Sequence, residues 1–168
     1  MKSRIIPHIK LTAKTMAGVR RRRNFENARI RHDYQCIFIH IPKAAGSSIT
    51  REFYHLPNES DQGSPQISKH AKAFEVRFLL GKEMWDEYFS FAFVRNPWDL
   101  MVSSYHWWLQ KAVNLPQYHR QVRRIQEMGD FKTFMKSRYG RKMINERYGS
   151  LFDWITMDDR IIVDYVGK

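Results

Sequence analysis

The 168 residues suit one domain, and 43% hydrophobic with 14% aromatic content is enough for a packed core, which excludes a disordered chain. A single cysteine, Cys36, excludes an internal disulfide framework and a cysteine-based zinc site; with no run of 18 apolar residues and no apolar stretch in MKSRIIPHIKLTAK, neither a membrane span nor a cleaved secretory signal is expected, and the expected location is cytoplasmic. The net charge of +12 gathers at two places, with ten Lys/Arg against two Asp/Glu in residues 1–35, nine against three in residues 119–147, and a neutral middle.

Residues 1–33 read as a basic N-terminal arm and residues 34–168 as the domain proper. The run Arg20 to Arg23 is either a contact for a polyanion or anionic membrane surface, which would make the chain membrane-peripheral, or a solvated tail. No aromatics interleave with it to stack on bases, so no specific nucleic-acid partner is expected. QCIFIHI, residues 35–41, is a nearly continuous apolar run, which suits a strand buried on both faces of a parallel sheet. A helix is predicted over 47–56 with Ile49, Phe53 and Leu56 on one face, then a loop over PNESDQGSPQI, residues 57–67, and a helix over 71–80. YFSFAFV, residues 88–94, predicts a second buried strand. Asn96 and Pro97 supply an N-cap and a first-turn proline for a helix that runs to about Gln110. Its inner stripe is Leu100, Met101, Ser104, Tyr105 and Trp108, while Asp99, Ser103, His106 and Gln110 lie on another face. Residues 116–147 read as two or three basic helices and RIIVDYV, residues 160–166, as a last strand. Two buried strands, each followed by a helix, predict an α/β fold: a parallel β-sheet flanked by helices.

The chemistry concentrates where those strands meet their helices. In IHIPKAAGSSI, residues 39–49, an apolar strand ends in Lys43, then Ala44, Ala45, Gly46, Ser47 and Ser48 open a helix. The first N–H groups of a helix have no internal partner and carry the positive end of its dipole. Small residues let an anion approach that backbone, serines add hydroxyl donors, and Lys43 adds a full charge, so the loop is a candidate phosphate or sulfate cradle. The lysine precedes the glycine, whereas a Walker A loop places it after the last glycine, which disfavours an ATPase, GTPase or P-loop kinase. FVRNPWDLMVSSYHWW, residues 93–108, repeats the geometry: a strand ends in Arg95, a helix follows, and Ser103 lies two turns in. An arginine fork with a hydroxyl suits a second phosphate group, the alternative being Arg95 paired with Asp99.

HIPKAAGSS and VRNPWDLMVSSY resemble the two nucleotide-binding motifs of the sulfotransferase family, most of all its carbohydrate sulfotransferases and their bacterial relatives. The resemblance covers about residues 35–166 and implies a P-loop-like sulfotransferase fold using 3′-phosphoadenylyl sulfate as co-substrate without a metal. It implies Lys43 at the bridging oxygen of the leaving phosphate, Gly46, Ser47 and Ser48, with Ala44 and Ala45, around the phosphosulfate, and Arg95 with Ser103 on the 3′-phosphate. The sulfuryl group would pass to a hydroxyl, of a carbohydrate; the basic 119–147 segment is either a surface that suits an anionic one or a solvated basic helix face. His70, in the SKH segment between the motifs and just before a helix, is the implied general base; Glu75 is the alternative. His40 is expected to be a packed strand residue, Lys69 either to aid the sulfuryl group or to be solvated, and His106 either to line the second site or to have no part in it.

The chain departs from the family in two respects. Leu100 stands where relatives carry a basic residue, and the sequence stops at DYVGK where relatives continue into further helical structure. A C-terminally short, incomplete fold is therefore expected, with a non-catalytic nucleotide- or polyanion-binding remnant as the alternative to an active transferase.

Overall fold

The computed structural model describes residues 30–32, 34–54 and 68–168. The arginine run at 20–23, Leu56, the 57–67 segment and the side chain of Phe53 lie outside the described residues. Among the described residues the chain forms a four-stranded sheet, β1 (Ile30–Arg31), β2 (Cys36–Ile39), β3 (Phe89–Phe93) and β6 (Tyr165–Gly167), in the order β1-β2-β3-β6. β2, β3 and β6 run parallel, and β1 pairs antiparallel with β2 at the edge. The sheet therefore starts at Ile30, inside the segment read as an arm. The mixed α/β architecture with a parallel pair at β2 and β3 agrees with the apolar runs that predicted it.

Between β2 and β3 come α1 (Gly46–Tyr54), α2 (Ala73–Leu80) and α3 (Lys82–Glu87). After β3 come α4 (Pro97–Gln110), α5 (His119–Gln126), α6 (Phe131–Lys136) and α7 (Arg138–Tyr148). Strand alternation sends Ile37, Ile39 and Ala92 to one sheet face, where they pack with Ala73, Val76, Leu79 and Leu80 of α2 and Trp85 of α3. Phe38 points to the other face with Ile49 of α1, Phe91 and Phe93. β2 is buried on both faces as expected, but Phe89 at the start of β3 is 53% exposed. The helices α4 to α7 share a second core around Leu100, Tyr105, Trp108, Val122, Ile125, Phe134, Ile144 and Tyr148. Three helices in the 116–147 stretch match its reading as two or three.

Caps fix the helix that follows β3. Asn96 accepts the Trp98 N–H through Oδ1 at 2.9 Å, and Pro97 fills the first turn, where its missing N–H costs nothing. The expected inner stripe is seen, with Leu100, Ser104, Tyr105 and Trp108 buried.

The segment RIIVDYV is not one strand. β5 (Arg160–Ile161) pairs with β4 (Thr156–Met157) in a hairpin, and only Tyr165 onward joins the main sheet. Asp158 and Asp159 both take positive φ, 51° and 59°, which two-residue hairpin turns require. Asp164 then hooks the chain to β3: its Oδ2 accepts from the Ser90 N–H and hydroxyl, both at 2.7 Å, and its N–H reaches the Ser90 carbonyl at 2.9 Å. An apolar run cannot reveal that break, because both pieces are apolar.

Candidate functional site

The loop between β2 and α1 is built from a tight turn. Lys43 and Ala45 take φ values of 65° and 60°, a left-handed conformation that costs a residue with a Cβ about 1 kcal/mol or more. The Ala44 N–H is used inside the turn, bonded to the Ile41 carbonyl at 3.3 Å. Ser48 and Ile49 both donate to the Ala45 carbonyl. The N–H groups of Ala45, Gly46 and Ser47 have no acceptor among the described residues, and left-handed Ala45 ahead of helical Gly46 aims successive N–H groups one way, as in an anion nest. Gly46 is also required sterically: a Cβ there would stand 2.0 Å from the Cδ2 and Nε2 of His40.

The two junctions meet. An Arg95 guanidinium N–H points to the Lys43 carbonyl at 3.4 Å, and no ion pair joins Arg95 to Asp99. Lys43, Ala45, Gly46, Ser47, Ser48, Arg95 and Ser103 line one cleft of about 390 Å³, together with His40, Pro42, Lys69, His70, Trp107 and Arg147. Among the described residues this lining holds four Lys or Arg side chains and no carboxylate. Burial, then the charges of Arg95 and Arg147, push the Lys43 ammonium below its ordinary pKa of 10.5.

His70 reaches the cleft from the segment before α2. Its Nδ1 lies 3.1 Å from the carbonyl oxygen of His40. A carbonyl only accepts, so Nδ1 carries the hydrogen and the basic lone pair of the neutral ring is on Nε2. The rings of His40 and His70 meet edge to face at 4.7 Å. His40, 4% exposed, is packed as expected, and it touches both the Gly46 backbone and the His70 ring.

The structure separates other candidates from the cleft. Ala44 is 4% exposed and belongs to the main core, so neither its side chain nor its N–H faces an anion. Glu75 caps α2, taking the Lys72 N–H on Oε2 at 2.7 Å, and lies outside the lining. His106 is exposed and meets the Tyr105 ring edge to face, outside the lining. Lys69 does line the cleft. Sequence reasoning missed Trp107 and Arg147 as parts of the site. Trp107 stands four residues after Ser103, hence on the same helix face, and that spacing was legible. Arg147 comes from the last turn of α7, and only the tertiary fold brings it there.

A model of the sulfotransferase family matches residues 26–159. The chain belongs to the sulfotransferase family. A protein of Archaeoglobus fulgidus, described as uncharacterized, is 31% identical to it over 78 residues, which take in 35% of this chain and 65% of that protein. The chain thus spans less than two thirds of the length of that relative. No solved structure matches it. In this sulfotransferase-family chain no cluster of three or more His, Cys, Asp or Glu stands ready to hold a metal, and no helix is long and apolar enough to cross a membrane, both among the described residues.

Proposed function

We propose that the cleft is a P-loop-like donor site for 3′-phosphoadenylyl sulfate, and that the protein transfers its sulfuryl group to a hydroxyl, of a carbohydrate in the reading that the basic 119–147 segment favours. One observation carries this reading: two strand–helix junctions 52 residues apart bring Lys43, Arg95, Ser103 and an open helix N-terminus to one cleft, whose described lining holds no carboxylate. A ligand with two separated anionic groups matches that arrangement, in which Lys43 and Arg95 stand close together.

In this reading the Ala45, Gly46 and Ser47 N–H groups and the two serine hydroxyls hold the phosphosulfate. Lys43 meets the bridging oxygen, where negative charge develops as the sulfur–oxygen bond to the leaving phosphate breaks. The acceptor hydroxyl oxygen forms the new bond to sulfur in line with the departing oxygen, and its proton passes to Nε2 of His70. Arg95 and Ser103 hold the 3′-phosphate and fix the register of the nucleotide. Positioning and charge stabilisation supply most of the acceleration, with the base adding about 10²–10⁴-fold.

The reading is tested with adenosine 3′,5′-bisphosphate, the donor without its sulfuryl group. At 100 times its Kd it adds about 2.7 kcal/mol to stability. A folded sample with no rise in Tm at millimolar ligand rejects the donor site. Labelled sulfate transfer from 3′-phosphoadenylyl sulfate to neutral and anionic glycans then tests the reaction; binding without transfer to any acceptor identifies a nucleotide-binding remnant instead.

A further inference from the structure

Arg147 lies outside both strand–helix junctions, yet its side chain lines the cleft. Its guanidinium carbon stands 4.9 Å from the ring centre of Trp107 and 5.4 Å from that of Trp108. Lys43 Nζ faces the same Trp107 ring at 5.9 Å. The backbone beside Arg147 is also held: Tyr148 bonds the Ser104 hydroxyl at 2.7 Å, and the Trp154 indole N–H reaches the Tyr148 carbonyl at 2.7 Å. An arginine laid against two indoles has lost most of its rotamer freedom before any ligand arrives, so little ordering cost remains on binding.

The charge pattern shows what that preset arginine is for. Arg147 is close enough to Lys43 to help push down its pKa, and Arg95 does the same. Lys43, Arg95 and Arg147 stand in one cleft, and no carboxylate lines it among the described residues. Such a cluster is repulsive alone and becomes favourable when an anion enters. Trp107 lies one turn beyond Ser103 on α4, so the ring that holds Arg147 stands on the helix face that carries Ser103.

We infer that Arg147, held on Trp107 and Trp108, is a specificity residue of the cleft that engages the second phosphate of the nucleotide alongside Arg95 and Ser103. This rests on the donor-site reading above. The two junctions already favour a nucleotide with two anionic groups over one with a single 5′ anion; the arginine from α7 sharpens that preference. A planar fork also suits a phosphate better than a lysine would.

The experiment compares the wild-type protein with Arg147→Met and Arg147→Lys, titrated with adenosine 3′,5′-bisphosphate and with adenosine 5′-phosphate at fixed salt. The expected result is that Arg147→Met weakens the bisphosphate roughly 10- to 100-fold and the monophosphate less than about 3-fold, collapsing the ratio between them. Arg147→Lys, which keeps the charge and the stem, should fall between. Equal weakening of both ligands, or no change in either, overturns the inference. If Arg147→Met does not fold, an unchanged ratio in Arg147→Lys overturns it equally. Failure of the wild-type protein to bind the bisphosphate is a different result, and it rejects the donor-site reading itself.

Discussion

Arg95 points its guanidinium at the carbonyl of Lys43, 3.4 Å away across 52 residues of chain. That contact brings one cation up behind another. With Arg147 held against the same Trp107 ring that Lys43 faces, the Lys43 ammonium is partly desolvated and flanked by like charge. In the donor-site reading this like-charge arrangement is a strain on the ligand-free cleft that a bound anion relieves.

Replacing Lys43 with methionine should therefore raise the Tm of the ligand-free protein while abolishing the response to adenosine 3′,5′-bisphosphate. The gain is about 1–3 °C, the size expected for a partly exposed charge interaction. A lysine whose native pKa is lowered binds fewer protons than the unfolded chain between that pKa and 10.5, so its share of stability rises with pH across that window. Thermal scans from neutral to alkaline pH should show this component in the wild-type protein and not in Lys43→Met. Ligand affinity should run the other way, falling once pH exceeds the native pKa of Lys43, because the anion binds the charged form. A destabilised Lys43→Met variant would contradict the proposed strain.

His40 and Gly46 interlock, since a Cβ on Gly46 would stand 2.0 Å from the imidazole. Gly46→Ala should cost about 1–3 kcal/mol as an overpacked core position and weaken bisphosphate binding. His40→Ala opens that space at its own cost. The double variant should lose less than the sum of the singles, by at least about 0.5 kcal/mol in a denaturation cycle. Additive losses would mean that the loop accommodates the methyl group elsewhere.

His70 is oriented by a backbone carbonyl, so its role separates from binding. His70→Ala should lower kcat of sulfuryl transfer by about 10²–10⁴-fold and leave bisphosphate affinity within about 3-fold. A variant with wild-type kcat would remove His70 from the reaction. Glu75→Gln should act on stability alone, through the cap of α2.

Much of the site was legible because anion chemistry is written in contiguous residues. A strand that ends in Lys43 before small residues, and one that ends in Arg95 before Asn96 and Pro97, each carry their own geometry. What the sequence hid was tertiary. Ala44 looks like its neighbour Ala45 on paper, yet a turn sends one into the core and the other to the cleft. Glu75 offers itself as a base on paper, although its place three residues after Lys72 at a helix start is the spacing of a cap. Arg147 was one basic residue among nine in its segment, and only the packing of α7 on α4 distinguishes it. The hook of Asp164 onto Ser90 ends one strand and starts another without any change in apolar pattern.

The packing of α7 on α4 has its own test. Ser104, wholly buried, and Tyr148, 4% exposed, share a hydroxyl–hydroxyl hydrogen bond of 2.7 Å beside the residue that carries the third cation. Burial pushes the Tyr148 phenol above its ordinary pKa of 10.0, so the ring is neutral at physiological pH. A group with a raised native pKa holds its full contribution below 10.0 and loses it as pH climbs toward the native value, opposite in sign to Lys43. Tyr148→Phe leaves the Ser104 hydroxyl buried without that partner, and should cost about 1–3 kcal/mol, or several degrees of Tm. Ser104→Ala in the same background removes the orphaned hydroxyl and should recover part of the loss. Because α7 also presents Arg147, the Tyr148→Phe variant should bind the bisphosphate more weakly than its stability alone explains, with the monophosphate less affected. Wild-type selectivity in a clearly destabilised Tyr148→Phe protein would show that the position of Arg147 is set by Trp107 and Trp108 and does not depend on the Ser104–Tyr148 bond.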